Sequence, residues 1–509
     1  MTPQPLDTLQ ELREYGGARR TIGLSDATIE DLWTRHEKLR SAVEKALAAH
    51  RALREDFGEM LRLPEEELCE RLQRDFVNFY VDEAINPYVA IGAAGPWVVT
   101  THGAVLHDSG GYGMLGLGHA PPELQEPIAH TWVMANVMSP HFSQWRLAER
   151  LKGEIGHKRG RCPFARFICM NSGSEAVSVA ARVSDINALR MTAADGRQSG
   201  KQIRSLALEE GFHGRTYRAA QVSHSTLNVY EEHLASFRDY DALEVVPPND
   251  LDALQAAFDR ADREGIFFEA LFMEPVMGEG EPGRAITREF YDLARRLTRE
   301  RGTLLIVDSI QAALRAQGCL SIVDYPGFED CDPPDCETYS KALNAGQYPL
   351  SVLALTAEAA EIYVPGVYGN TMTTNPRALE VGCAVLDSLT DELRENIRAR
   401  GRELKEKFEA LAEEFPQAIT QVTGTGLIVC AELDPERYQV VGEAGFEQYL
   451  RTRGIAMIHG GRNGVRFTPH FAISSEEIDL IVDAVRDGLR ELGDGRTGAS
   501  ADGAAHSTA

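Results

Sequence analysis

The chain has 509 residues, 43% hydrophobic and 25% charged, an ordinary globular composition too long for one compact core, so two or more domains are expected. Its 77 acidic and 52 basic residues give a net charge of -25, a field that repels phosphate backbones and anionic lipid and excludes nucleic acid and membrane as expected partners. No run reaches the roughly eighteen apolar residues of a membrane span, and the opening stretch carries acids with no apolar leader core, so a soluble, cytoplasmic protein is expected.

In chain order, residues 26–80 set Leu32, Leu39, Val43 and Leu47 at helical spacing between charges. This predicts a helical N-terminal extension, 1–90, that serves for packing or dimer contact. From 160 to 360, short apolar runs (FICMN, SLALEE, ALFMEP, TLLIVD, TYSKAL) alternate with helical patterns. That rhythm predicts an α/β fold, a mainly parallel sheet wrapped by helices, in a large domain over 91–375. A helix over 376–413, strands over 424–432 and 464–467, and a closing helix over 475–492 predict a smaller α+β C-terminal domain, 376–492. The tail, 493–509, offers almost nothing to bury and is expected to be disordered. The eight cysteines are thinly spread, with no further ligands spaced around Cys331 and Cys336, so neither a metal site nor a disulfide framework is expected.

Four short segments carry chemistry. The run TLLIVD ends a buried strand in Asp308, followed by Gln311, at the edge where open α/β sheets bind ligands. Alone, Asp308 reads equally as a helix cap. Lys341 follows a short strand and precedes a glycine-containing loop, although a single lysine is usually a solvated surface charge. The pair is more informative: pyridoxal phosphate needs a lysine amine for its aldehyde and an acid that keeps its pyridine nitrogen protonated. Asn171-Ser172-Gly173-Ser174-Glu175-Ala176 leaves a strand and opens a helix, offering free N–H groups and the Ser174 hydroxyl to a phosphate, or simply capping the helix. Gly211-Phe212-His213-Gly214 sets an aromatic ring between glycines, fit to lie on a planar heterocycle or to fill a core edge.

Together SGSEA, GFHGRT, MEPVMGEG, VDSIQ, SKAL and GNTMTTNP resemble, in order and spacing, the class III aminotransferases of fold type I, over residues 90–490. The resemblance implies a large domain with a smaller α+β C-terminal domain. It also implies pyridoxal 5'-phosphate as cofactor and transfer of an amino group from an amino acid or ω-amine to a keto acid such as 2-oxoglutarate. Lys341 would hold the cofactor as a Schiff base and move the proton, Asp308 would pair with the pyridinium nitrogen, Gln311 would bond the phenolic oxygen and Phe212 would stack on the ring. Gly173 and Ser174 would bind the phosphate, joined by Thr371 from a second subunit, which implies a homodimer with shared active sites. Within the family the pattern resembles the ornithine aminotransferase subgroup, where Arg466 would grip a substrate carboxylate and Glu279 would shield it. For these two, a domain-interface ion pair and a water-facing carboxylate stand as the plain readings. His119 and His213 receive no catalytic role, because the lysine already transfers the proton.

The chain departs from the family at Ser309, where an acid is usual, and at Thr373-Thr374, where glycines are common. Both changes leave open a different substrate, or a racemase, epimerase or lyase on the same fold. Tyr112 is read either as lining the pocket or as packing. A catalytically silent binding or assembly protein is disfavoured, since both the lysine and its acid partner are present.

Overall fold

The computed structural model describes residues 5–133, 138–442 and 444–494. The expected disordered tail therefore lies, from 495 onward, outside the described residues. Seven strands form the central sheet, in the spatial order Arg166–Met170, Ser351–Leu355, Cys336–Tyr339, Leu304–Asp308, Ile266–Met273, Gln202–Leu208 and Leu243–Val246. The five from Cys336–Tyr339 to Leu243–Val246 run parallel, and Ser351–Leu355 is antiparallel to both its neighbours. The sheet is thus mainly parallel, as the alternating pattern predicts. Ile266–Met273 and Leu304–Asp308 are buried along their whole length, which is why they read as unbroken apolar runs and not as alternating ones.

Helices Gly173–Thr192, Leu251–Glu264 and Arg288–Arg301 pack on this sheet. Each has a side-chain cap: Ser172 accepts from Glu175 N, Asp250 from Ala253 N and Thr287 from Phe290 N. Gly265 and Gly302 end the second and third in left-handed conformations that glycine adopts without a steric cost.

Two features differ from the sequence expectation. The segment 424–432 is not one strand: Ile419–Gly424 and Val429–Leu433 form a hairpin, because Gly426 takes a left-handed φ of 55° and turns the chain. The helix expected over 376–413 is two, Pro376–Asp387 and Asp391–Glu414, with Thr390 capping the second through Leu393 N. The hairpin continues into Gly464–Phe467 and Ile458–Gly460 to complete a four-stranded sheet.

A third sheet joins distant parts of the chain, since Val105–Asp108 pairs with Ile455–Ala456 in parallel. Helices Asp26–Trp33, Glu37–Phe57 and Glu65–Gln73 precede it. Glu37–Phe57 lies so close on Ala90–Ala94 that a Cβ at Gly92 would fall 2.4 Å from Ala46 N. Only glycine permits that approach.

Candidate active site

The carboxyl ends of the parallel strands deliver one side chain each to a common rim. Phe212 follows Gln202–Leu208, Glu274 follows Ile266–Met273, Asp308 ends Leu304–Asp308 and Lys341 follows Cys336–Tyr339. All four line a cavity of about 420 Å³. Ligands collect at this edge in open α/β sheets because loops from several strands converge there.

Asp308 is buried at the cavity floor. Its Oδ2 lies 2.9 Å from Nδ1 of His213, and its Oδ1 accepts from the Thr338 hydroxyl at 3.0 Å and from Ile310 N at 3.1 Å. Beside it, Glu274 accepts from Phe212 N at 3.0 Å and Gly278 N at 2.8 Å, so it fixes the two segments that flank the cavity. Burial pushes the Glu274 carboxyl up to about 7, with Asp308 adding to the rise and His213 opposing it.

Lys341 has a φ of 47°, a left-handed conformation that costs a non-glycine residue energy and aims its side chain into the cavity. Its Nζ donates to Oε1 of Gln311. Burial and the Arg466 guanidinium pull the amine down to about 8, against the pull of Glu279, Glu274 and Asp308. At pH 7 a lysine so shifted is neutral and nucleophilic roughly a tenth of the time, against well under a hundredth for an exposed one.

Gly173 and Ser174 begin helix Gly173–Thr192, whose unpaired N–H groups and dipole favour an anion. The Ser174 hydroxyl accepts from Arg215 N at 3.1 Å. Gly214 packs directly on it: a Cβ there would stand 2.1 Å from Ser174 Oγ.

At the other end of the site, Arg466 on Gly464–Phe467 is 2% exposed and bonds Oε2 of Glu279 at 2.8 Å and the Gly278 carbonyl. Glu279 lines the cavity and Arg466 stands behind it. Burial would raise the Glu279 carboxyl, but Arg466 and Lys341 outweigh it and hold it below the ordinary range. The sequence-predicted residues Lys341, Asp308, Gln311, Phe212, Gly173, Ser174 and Glu279 thus meet around one cavity, with Arg466 adjoining. Thr371 does not: it is exposed on the loop before Pro376–Asp387.

Ser309 is turned away from the cavity, and its hydroxyl donates to the buried Glu337 at 2.6 Å. Its lack of charge therefore leaves the cavity wall unchanged. Thr373 and Thr374 line a separate cavity beside strand Arg166–Met170. The Tyr112 side chain lies outside the described residues. Sequence reading gave no place to His213 as the partner of Asp308, nor to Glu274 as the anchor of Phe212. For Glu274 the signal was its place directly after the apolar run ALFM, as Asp308 closes TLLIV; the pairing of Met273 with Val307 then sets the two acids side by side.

These residues fit pyridoxal phosphate. Among the described residues Gln311 lines the cavity and its Nε2 is buried without a hydrogen-bond partner, a spare donor of the kind a cofactor oxygen would use. Asp308 would hold the ring nitrogen, Phe212 the ring face and Gly173 with Ser174 the phosphate.

Comparison with known proteins agrees. A family model described as aminotransferase class-III matches residues 80–489. The acetylornithine aminotransferase of Thermosynechococcus vestitus is 30% identical over 382 residues, 74% of this chain and 86% of that protein. The [LysW]-aminoadipate semialdehyde transaminase of Deinococcus radiodurans is 30% identical over 379 residues, 74% of this chain and 79% of that protein. In fold, the chain is similar to the ornithine aminotransferase of Toxoplasma gondii ME49, with a TM-score of 0.72 at 22% identity, over 87% of this chain and 99% of that one. The chain belongs to the class-III aminotransferases, pyridoxal-phosphate enzymes of fold type I that transfer amino groups.

Proposed function

We propose that this aminotransferase takes the terminal amine of an ornithine-like or acylated ornithine-like amino acid and passes it to a dicarboxylic keto acid such as 2-oxoglutarate. The single observation that carries the reading is the Arg466–Glu279 pair at 2.8 Å beside Lys341. With Glu279 in place, the cavity presents a carboxylate that suits a cationic amine donor. With Glu279 moved aside, it presents a guanidinium whose planar donors match a carboxylate of the acceptor. The relatives named for acetylornithine, ornithine and aminoadipate semialdehyde substrates point the same way.

When bound, pyridoxal phosphate supplies the electron sink for the carbanion formed at the substrate carbon. The residues around it do the rest. Lys341 would hold the cofactor through its amine and, once free, would move the proton at the substrate carbon, a task for which an amine drawn down to about 8 is suited. Asp308, steadied by His213 and Thr338, would keep the ring nitrogen charged. Gln311 and Phe212 line the same cavity, where Gln311 would offer its amide to the phenolic oxygen and Phe212 would cover the ring.

We read the enzyme as a cytoplasmic homodimer in which Thr371 of the partner subunit completes the phosphate site. The loop is anchored to its own chain, Asn370 and Tyr368 donating to Glu175 at 2.7 and 2.6 Å, while Thr371 itself stays exposed and outside its own cavity, which leaves it available to a second copy. The apolar Phe142, Trp145 and Met372 lie exposed near that loop, as an uncovered interface would leave them. The test is the visible spectrum of the purified protein against ornithine, N-acetylornithine, lysine, γ-aminobutyrate and glutamate. Conversion of the cofactor band by an ω-amine, reversed by 2-oxoglutarate, supports the reading. Conversion by none of the ω-amines would sink it.

A further inference from the structure

Arg315 is fully buried, and among the described residues its hydrogen bonds all go to main-chain carbonyls. Nε and Nη2 donate to Gly113 O at 3.3 and 3.2 Å, and Nη1 donates to Leu427 O at 3.4 Å and to Pro469 O. Leu427 N returns a bond to Arg315 O at 3.0 Å, and the guanidinium lies 5.2 Å from the centre of the Phe471 ring. Burying a cation without a bonded acid is costly, and burial does pull this one down to about 9, with Asp108 opposing. The preceding Leu314, itself buried, takes a left-handed φ of 62°. An arginine kept under such constraint calls for a task beyond filling space.

The three segments it joins all abut site residues. Gly113, at a φ of 73°, lies against Gln311: a Cβ there would stand 2.6 Å from Gln311 Nε2. Gly113 N in turn donates to the Thr468 hydroxyl at 3.2 Å, and Thr468 N to Ser109 O at 2.8 Å. Thr468 and Pro469 directly continue the strand that carries Arg466. Leu427 lies at the turn of the hairpin whose second strand pairs with that same strand. Arg315 itself sits four residues after Gln311 on the segment that leaves Asp308.

We propose that Arg315 is a positioning residue, a buried pin that locks the glycine loop at Gly113 against Gln311 and fixes the Arg466 strand relative to it. The acceptor grip and the cofactor contact are thereby held in one register by a cation that touches neither ligand. This rests on the reading of Gln311 and Arg466 given above.

The test uses the holoenzyme with Arg315→Met and Arg315→Lys. For Arg315→Met, the KM for 2-oxoglutarate is expected to rise about tenfold, the size of one lost charge-assisted hydrogen bond, while the donor half-reaction rate stays within about threefold. The pH midpoint of the visible cofactor band is expected to shift as Gln311 loosens, and Arg315→Lys is expected to restore part of both effects. A lower melting temperature with unchanged KM and unchanged midpoint in both variants would show a merely structural role and overturn the proposal. Should Arg315→Met not fold, Gly113→Ala presses on Gln311 directly and is expected to move the same midpoint, and a wild-type midpoint there overturns it equally. A wild-type protein with no visible band at all would overturn the site assignment itself, and this proposal with it.

Discussion

At the scale of the residue, the account turns on Lys341 and the pair Asp308–His213. Lys341 sits at about 8 in the folded chain against 10.5 for an exposed lysine. Between those values the unfolded chain binds more protons, so stability of the cofactor-free protein falls as pH drops from about 10.5 to about 8 and is level below. Lys341→Met is therefore expected to stabilise the cofactor-free protein at pH 7 by on the order of 2–3 kcal/mol, with the gain fading above pH 10. Urea denaturation at the two pH values checks this, and equal gains at both would contradict it. Asp308 Oδ2 has its contact at 2.9 Å with His213 Nδ1, so His213→Phe is expected to lower kcat by about 10–100-fold, the worth of a buried charge-assisted hydrogen bond, with KM for the donor little changed. Steady-state kinetics that showed only a KM effect would contradict that role. Lys341 and Asp308 were legible only as a pair, an acid closing the apolar run TLLIVD and a lysine after a short strand, set among ordered motifs. His213 was not, since a histidine in a loop carries no pattern that tells whether it faces an acid on a strand 95 residues away.

At the scale of the element, strand Cys336–Tyr339 carries a fully buried acid, Glu337, that accepts from Ser309 at 2.6 Å, Ser321 at 2.5 Å and Ile322 N at 3.0 Å. Burial pushes it up to about 7, so the folded chain binds more protons than the unfolded one between about pH 4.5 and 7, and stability falls as pH rises through that window. Glu337→Gln keeps the acceptor and removes the titration. It is expected to flatten that slope by about 1–2 kcal/mol, read from denaturation midpoints at pH 5 and 8. The same contact explains why Ser309 is harmless to the cavity, which periodicity alone could not reveal because adjacent residues of a turn face opposite ways. The expected strand 424–432 also ran through the turn at Gly426 and missed Ile419–Gly424, whose residues are too polar to read as a buried strand. The parallel core was legible for the opposite reason, as strands covered on both faces leave unbroken apolar runs.

At the scale of the whole molecule, one chain brings seven of the expected site residues around a single cavity and leaves Thr371 outside it. In the proposed homodimer a second copy supplies that contact. Trp145→Glu, placing a charge on an exposed apolar patch, is expected to yield a monomer in sedimentation and to weaken cofactor affinity by about tenfold or more. A monomer with unaltered affinity would contradict the shared site. The pairing of Val105–Asp108 with Ile455–Ala456 was beyond sequence reading, since a two-residue strand nearly 350 positions away carries no signal of its partner.

The central claim, that Lys341 carries the cofactor, is tested most directly by reducing the holoenzyme with borohydride, digesting it and locating the phosphopyridoxyl group by mass spectrometry. The label is expected on the peptide containing Lys341 and is expected to be absent from Lys341→Ala. A label on any other lysine, or none in a protein that binds the cofactor, would contradict it.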